Sequence, residues 1–478
     1  MGDAGNERKQ RGAWFTPEHL VDAVVTAVID EMFVGARHQR ALSILDPACG
    51  DGRFLTAAVD AVRAAGGDAT AVGVDIDAET VRMAPSAPGV EIVCADALTS
   101  TWLAEQAGTF DLVIGNPPFL SQMASSTTRG GASTRGGGPY ADAAVEFLAL
   151  AADMVDPDGG RVAFVLPQSI LSARDAGAVR DRIDRRADMI WSTWTGERDF
   201  DAEVVTCALA FEFSCAGAER VSPTGSRWSH VVTGRTGVPP MPTVFDTSDP
   251  ARGRLGDRAR LNANFRDEYY GMIPAVGDHE TGPPLITSGL IDPGRCWWGE
   301  RSVRFAKRRF IAPRIDLAAL DPRMSAWADK RLVPKVLIAN QTPIVEAVCD
   351  PSGDWLPGVP VVAAYPLAEA AAATDAVVTE SAWEIATVLV APSVSVWAWH
   401  QRGGTGLSSN AIRLGPTMLA ELPWPTGRLD GAVAALRAGD VVESGRLVDR
   451  AYGLDESECA EVFAWWSPIF ERIAARAN

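Results

Sequence analysis

The sequence holds 478 residues, 47% of them hydrophobic and 22% charged, enough for more than one buried core and for two or three domains. It has no apolar run of about eighteen residues and no basic-then-apolar leader, so neither a membrane span nor a secretory signal is expected. The net charge of −17 excludes a uniformly cationic surface, yet residues 251–340 carry 16 Lys+Arg against 10 Asp+Glu, a local net of +6.

Apolar, β-branched runs alternate with helical patterns up to about residue 215. Strands are predicted at Leu42–Leu45, Ala71–Asp75, Glu91–Ala95, Asp111–Gly115, Arg161–Leu166, Met189–Trp194 and Val204–Phe213. Helices fit between most of them, as at Phe54–Ala65 and Asp142–Val155. Runs such as LVIG and VAFVL are apolar without alternation, as in strands covered on both faces. The last two strands are joined by a loop, which predicts a terminal antiparallel hairpin. Residues 120–140, rich in Ser, Thr, Gly and Arg, break the rhythm as a loop. Pro, Gly and Ser then mark a boundary over 216–260, and 226–428 is irregular, with nine of the 15 tryptophans. From Leu429 the chain reads as helices, with Asp455 an N-cap candidate. The expected fold class is α/β: a Rossmann-like doubly wound sheet with a terminal antiparallel hairpin (1–220), a C-terminal mixed α+β domain (221–428) and a helical tail (429–478).

Four segments carry chemistry. ILDPACGDGRFL (Ile44–Leu55) reads as a strand, a turn with Gly50 and Gly52, and a helix start. Small residues there admit a ligand to the backbone, and a helix N-terminus favours negative charge. Phe54–Leu55 occupy the place of a third glycine, so this is not the dinucleotide fingerprint; an ordinary tight turn is the plainer alternative. Asp75 ends the second strand, where an acid can take both ribose hydroxyls of a nucleoside, while Asp77 suits a helix N-cap. Asp96 follows the third strand and can accept from an exocyclic amine. The fourth strand ends in Asn116-Pro117-Pro118-Phe119. The prolines fix the backbone and remove two N–H donors. The Pro117 carbonyl and the Asn116 side-chain oxygen can then accept both hydrogens of one NH2 group and draw its lone pair out of ring conjugation. Phe119 offers a stacking face. Taken alone, NPPF also fits a rigid turn.

GAWFTP (Gly12–Pro17), DPACGDGRF, GVDID, ADAL and NPPF, in this order, resemble the amino-methyltransferases that use S-adenosyl-L-methionine. More narrowly, they resemble the N6-adenine DNA methyltransferases of the gamma arrangement, with a C-terminal target-recognition domain. The resemblance implies that the methionine end of the cofactor meets Thr16, Pro17 and Ala48, Cys49 and Gly50, with Asp46 behind the turn. It implies Asp75 on the ribose beside Ile76, and Asp96 with Ala97 on the adenine amine, near Phe147 and Pro118, with Asn116 also lining the cofactor site. Asn116, Pro117, Pro118 and Phe119 would hold the target base, with Phe200, in a segment RDFDAEVVTCALAFEF, as its other wall; a core phenylalanine is the competing reading. Looser likenesses continue in KVLIANQTPIVEAV, WEIATVLVAPSVSVWAW, ELPWP and LVDRAYGLDESE. The domains then become catalytic (1–220), target-recognition (221–428) and tail (429–478).

What the resemblance implies is methyl transfer to an adenine N6 flipped out of double-stranded DNA, by direct displacement without a covalent nucleophile. The geometry of NPPF by itself suits an adenine or a cytosine amine. Val303–Phe310 and Arg252–Arg260 are candidates for phosphates or for solvated faces, and Arg129 and Arg135 for a loop that closes over DNA. Restriction or defence-system subunits are expected as partners, with no membrane. No metal is implied, because the five histidines form no ligand spacing. The seven cysteines include no CxxC pair, consistent with a reduced, cytoplasmic setting. Two alternatives stay open: a release-factor glutamine methyltransferase, against which the FTP motif and the long C-terminal half count, and a catalytically silent DNA-binding subunit.

Overall fold

The structure is a computed structural model and describes residues 16–35, 40–119, 135–138, 141–196, 205–214, 227–245, 252–264, 266–367, 374–406 and 410–477. The chain divides into two compact units, Met1–Arg235 and Thr236–Asn478. Among the described residues no single helix is long and apolar enough to cross a membrane. Six cysteines are described, and all are free.

The first unit is built on one seven-stranded sheet. Its strands are β1 (Leu42–Asp46), β2 (Ala69–Asp75), β3 (Val90–Cys94), β4 (Leu112–Gly115), β5 (Arg161–Pro167), β6 (Ala187–Trp194) and β7 (Thr206–Phe213). Every predicted strand is present. Their order is β3-β2-β1-β4-β5-β7-β6, with β1 to β5 parallel. The reversal of chain direction across the sheet, between β1 and β4, is where doubly wound folds open a crevice at the strand carboxyl ends. The antiparallel hairpin of β6 and β7 is present, but its second strand lies inside the sheet, antiparallel to both β5 and β6. Burial explains the order. TCALAFEF of β7 is covered at almost every position, whereas ADMIWSTW of β6 is only partly covered and takes the edge.

Helices cover both faces of this sheet. Those of six residues or more are α1 (Glu18–Val28), α2 (Arg53–Ala64), α3 (Ala78–Met83), α4 (Ala143–Met154), α5 (Gly177–Asp184) and α6 (Arg227–Thr236). Helix α1 buries Leu20, Val21, Val24, Val25 and Val28 on one stripe, each side chain stabilising by roughly 1.5–3 kcal/mol relative to exposure. Asp142 caps α4 through the Ala144 amide, and Asp77 caps α3 through the Glu79 amide. Helix α6 is tied to this unit by Trp228, whose ring lies tilted 5.2 Å from that of Phe211 and whose indole N–H donates to Asp184 Oδ1 at 3.0 Å.

The second unit carries a four-stranded antiparallel sheet of β8 (Ala259–Ala263), β11 (Lys335–Ala339), β12 (Ala347–Asp350) and β13 (Val361–Pro366), in the order β12-β11-β13-β8. Between β8 and β11 lies a hairpin of β9 (Val303–Phe305) and β10 (Arg308–Phe310). Helix α7 (Asp375–Leu389) packs on the sheet, and α8 (Pro392–Arg402) is buried over nine successive residues, Pro392 to His400. The tail forms α9 (Asp430–Arg437), α10 (Val441–Tyr452) and α11 (Glu456–Ala474), which pack on α7 and α8 within the same unit. Asp455 caps α11 in a reciprocal box with Glu458.

Candidate active site

The site grows from the ends of β1, β2, β3 and β4. After β1 the chain must turn sharply over the sheet, and Gly50 (φ 53°) and Gly52 (φ 76°) take left-handed conformations that side chains resist. The turn lies on β2: the Cys49 amide donates to the Val74 carbonyl at 3.0 Å, and a Cβ on Gly73 would sit 2.6 Å from Cys49 Sγ. Burial pushes the Cys49 thiol above its ordinary pKa, and its Sγ packs against Gly73.

Asp75 is held by this turn. Its Oδ2 accepts from the Gly50 amide at 2.9 Å and its Oδ1 from the Asp77 amide at 2.8 Å. Each oxygen keeps a lone pair, so the carboxylate is oriented without being used up. Ile76, next in the chain, is 68% exposed. Beside it, the Ala95 amide of the neighbouring strand end donates to the Asp75 carbonyl, which brings the loop of Asp96 alongside. Asp96 accepts from the Leu98 amide at 3.0 Å and from Thr99 Oγ1 at 2.9 Å. Ala97 is buried.

Asp46 is almost fully buried under the turn and accepts from the Ala48 amide at 3.0 Å. Burial pushes its carboxyl up to about 8; the Ala48 bond opposes this, and the nearby Asp75 and Asp51 add to it. Because the folded value lies above the unfolded one, the group's contribution to stability is full below the unfolded carboxyl range and is lost as pH rises through about 8. Asp46→Asn should therefore compare more favourably with the parent at pH 9 than at pH 5. Thermal denaturation at the two pH values tests this. A Tm difference independent of pH would show that Asp46 does not titrate in this window.

Asn116 is brought to Thr16, one hundred positions earlier: its Nδ2 donates to Thr16 Oγ1 at 2.9 Å. The bond commits the amide nitrogen and leaves the side-chain oxygen as the acceptor end. Gly115 sets this register, since a Cβ there would lie 2.4 Å from Asp46 Oδ1. Pro117 and Phe119 are buried and Pro118 is partly exposed. Phe147 is buried on α4, next to Glu146, whose Oε1 has no hydrogen-bond partner among the described residues. Phe200 and Arg129 lie outside the described residues, as do Trp14 and Phe15 of the FTP segment.

One positioning residue escaped the sequence reading. Arg53, at the start of α2, donates to the Thr16 carbonyl at 2.5 Å and forks onto Asp51, so it ties Thr16 to the glycine turn. Burial would raise the Asp51 pKa, but the Arg53 bonds and charge outweigh it and hold the carboxyl below its usual range. An arginine directly after a glycine turn was the available signal; its partner could not be read from spacing.

Residues 2–187 match the family model described as N-6 DNA Methylase. Among solved structures the chain is similar to a protein of Listeria monocytogenes described as a class I S-adenosylmethionine-dependent methyltransferase. Identity is 20% over 43% of this chain and 62% of that one, with a TM-score of 0.34. It is also similar to the methyltransferase subunit of a type I restriction-modification system from Streptococcus thermophilus, at 19% identity over 43% and 46% of the two chains, TM-score 0.35. The type IIG restriction endonuclease BpuSI aligns at 12% identity over 98% of this chain and 67% of its own, TM-score 0.37. The chain thus spans 62% and 46% of the length of the first two. The match over residues 2–187 takes in the parallel strands β1 to β5, so that part of the chain is similar to the N-6 DNA Methylase family.

Proposed function

We propose that the chain is a site-specific DNA methyltransferase that transfers a methyl group from S-adenosyl-L-methionine to the N6 amine of an adenine flipped out of double-stranded DNA. A restriction-modification or phage-defence setting, with partner subunits from such a system, goes with this reading. The observation that carries it is the bond from Asn116 to Thr16, which joins NPPF to the FTP segment. Two motifs that have no reason to meet in an unrelated α/β sheet meet here at the carboxyl end of β4.

The residues fit the cofactor. Asp75 is oriented at the rim, and the exposed Ile76 beside it gives an apolar face that a purine ring would cover. When bound, S-adenosyl-L-methionine supplies an electrophilic methyl group on a sulfonium. Asp75 would accept from the ribose hydroxyls, Asp96 from the adenine amine, and Ile76, Ala97, Pro118 and Phe147 would flank the ring. Asp46, Ala48, Cys49 and Gly50, with Thr16 and Pro17, would form the end nearer the methionine.

Asn116 and Pro117 do the positioning. Their two oxygens would accept both N–H groups of the target amine and favour a tetrahedral nitrogen. The nitrogen lone pair then leaves ring conjugation and becomes nucleophilic, an effect of preorganised acceptors. Phe119 would stack on the base and offset part of the cost of flipping, a few kcal/mol. The surplus proton leaves the nitrogen after transfer.

The test is modification-sensitive sequencing of DNA from cells that express the chain, beside cells that express Asn116→Ala. A methylated adenine motif seen only with the parent is the expected result. Methylated cytosine would move the target amine, and labelled methyl groups on protein with none on DNA would overturn the reading in favour of a glutamine methyltransferase.

A further inference from the structure

Most of the basic segment is spent inside the second unit. Arg252 donates to the carbonyls of Val244 and Tyr452, and Arg254 pairs with Glu421. Arg258 lies over Trp424 and Arg260 over Tyr365. Arg295 pairs with Glu300, Arg301 with Asp292, and Lys335 with Asp350. Arg252, Arg254, Arg258 and Arg260 thus each already have a carbonyl, a carboxylate or a ring as partner.

The hairpin of β9 and β10 is different. Its strands pair Val303 with Phe310, Arg304 with Arg309 and Phe305 with Arg308. Alternation puts Val303, Phe305 and Phe310 into the core. Arg304, Lys307, Arg308 and Arg309 are exposed. None of the four has an acidic partner among the described residues; the only contact is the Arg308 guanidinium over Phe310 at 4.9 Å. Two features run against local stability. Arg304 and Arg309 are like charges directly across the ladder, which is unfavourable. The turn places Ala306 (φ 49°) and Lys307 (φ 65°) in the left-handed region, the two-residue hairpin turn that Asn-Gly would fill without strain.

We propose that this hairpin is a DNA-contacting ribbon, with Arg304, Lys307 and Arg309 set against the phosphates of double-stranded DNA. A polyanion supplies the counter-charge that the fold withholds. A two-stranded ribbon also has the width to lie along the major groove. Phosphate contacts fix register and orientation without reading sequence, so the hairpin positions the duplex while other residues specify the site. The inference rests on the DNA reading of the preceding subsection.

The test uses the full chain with S-adenosyl-L-methionine and a fluorescent DNA duplex of mixed sequence, titrated between about 50 and 200 mM salt. Each cation that leaves a phosphate should make the negative slope of log K against log salt shallower by about 0.9. Arg304→Gln with Arg309→Gln should therefore flatten the slope by about 1.8 and weaken binding at low salt, on any sequence. Lys307→Gly separates charge from structure. It relieves the turn, so its Tm should rise while its DNA affinity falls. A purely structural hairpin predicts that affinity follows stability upward. If the double variant keeps the parent's affinity and slope, the hairpin assignment is wrong, and DNA methylation by the parent leaves the wider reading standing. A parent that binds no duplex overturns both.

Discussion

Asn116→Ala should lower the rate of methyl transfer to DNA by about 10²–10³-fold, the usual effect of losing one preorganised polar group at a reacting centre. The argument follows from the geometry. The side-chain nitrogen is committed to Thr16 at 2.9 Å, so the oxygen is the end available to a target amine. Alanine removes that acceptor and leaves only the Pro117 carbonyl. The nitrogen lone pair then stays in conjugation with the ring, and the amine remains a poor nucleophile. Cofactor affinity should change far less, because Asp75 is oriented by Gly50 and Asp77 and not by Asn116. Single-turnover methylation and cofactor titration, run side by side, check the split. A variant that transfers methyl groups at the parent's rate would show that Asn116 does not hold the target. A variant that loses cofactor and transfer together would place Asn116 in cofactor binding alone.

The legible and the illegible parts of this chain divide along a physical line. The places of Asp75 and Asn116 could be read because both stand at strand ends, and strand ends in a parallel sheet share one edge. Gly50 and Gly52 could be read because their φ values exclude most other residues. Long-range partners were harder. The fork of Arg53 onto Asp51 and the Thr16 carbonyl depends on where α2 sits over the chain before α1. The inward place of β7 depends on a difference in burial between two similar apolar runs. Charge counting failed most clearly. A sum over residues 251–340 cannot tell an arginine stacked on tryptophan from one in solvent, and Arg258 and Arg304 enter that sum alike.

Lys335 shows the same failure with the largest consequence for stability. It was counted in the basic island, yet its side chain is 0% exposed at the start of β11, 2.5 Å from Asp350 on β12. Asp350 is equally buried and also accepts from the amides of Gly353, Asp354 and Trp355, so it holds both the lysine and the turn after β12. Asp350→Ala should cost about 3–5 kcal/mol, since it strands a buried ammonium. Lys335→Met should cost less, because the carboxylate keeps three N–H donors. The sign of the pH dependence is specific. Burial already lowers the Lys335 pKa, and losing Asp350 removes the main opposing influence. A lysine whose folded pKa lies below its unfolded value binds fewer protons when folded, so stability rises with pH. The deficit of Asp350→Ala should therefore shrink as pH climbs toward the unfolded lysine value of about 10.4, where a neutral amine needs no partner. Urea denaturation at pH 7 and pH 9.5, followed by tryptophan fluorescence, reads the difference. A deficit that is small, or equal at both pH values, would mean that water reaches Lys335 and that the pair is not the closed contact of β11 and β12.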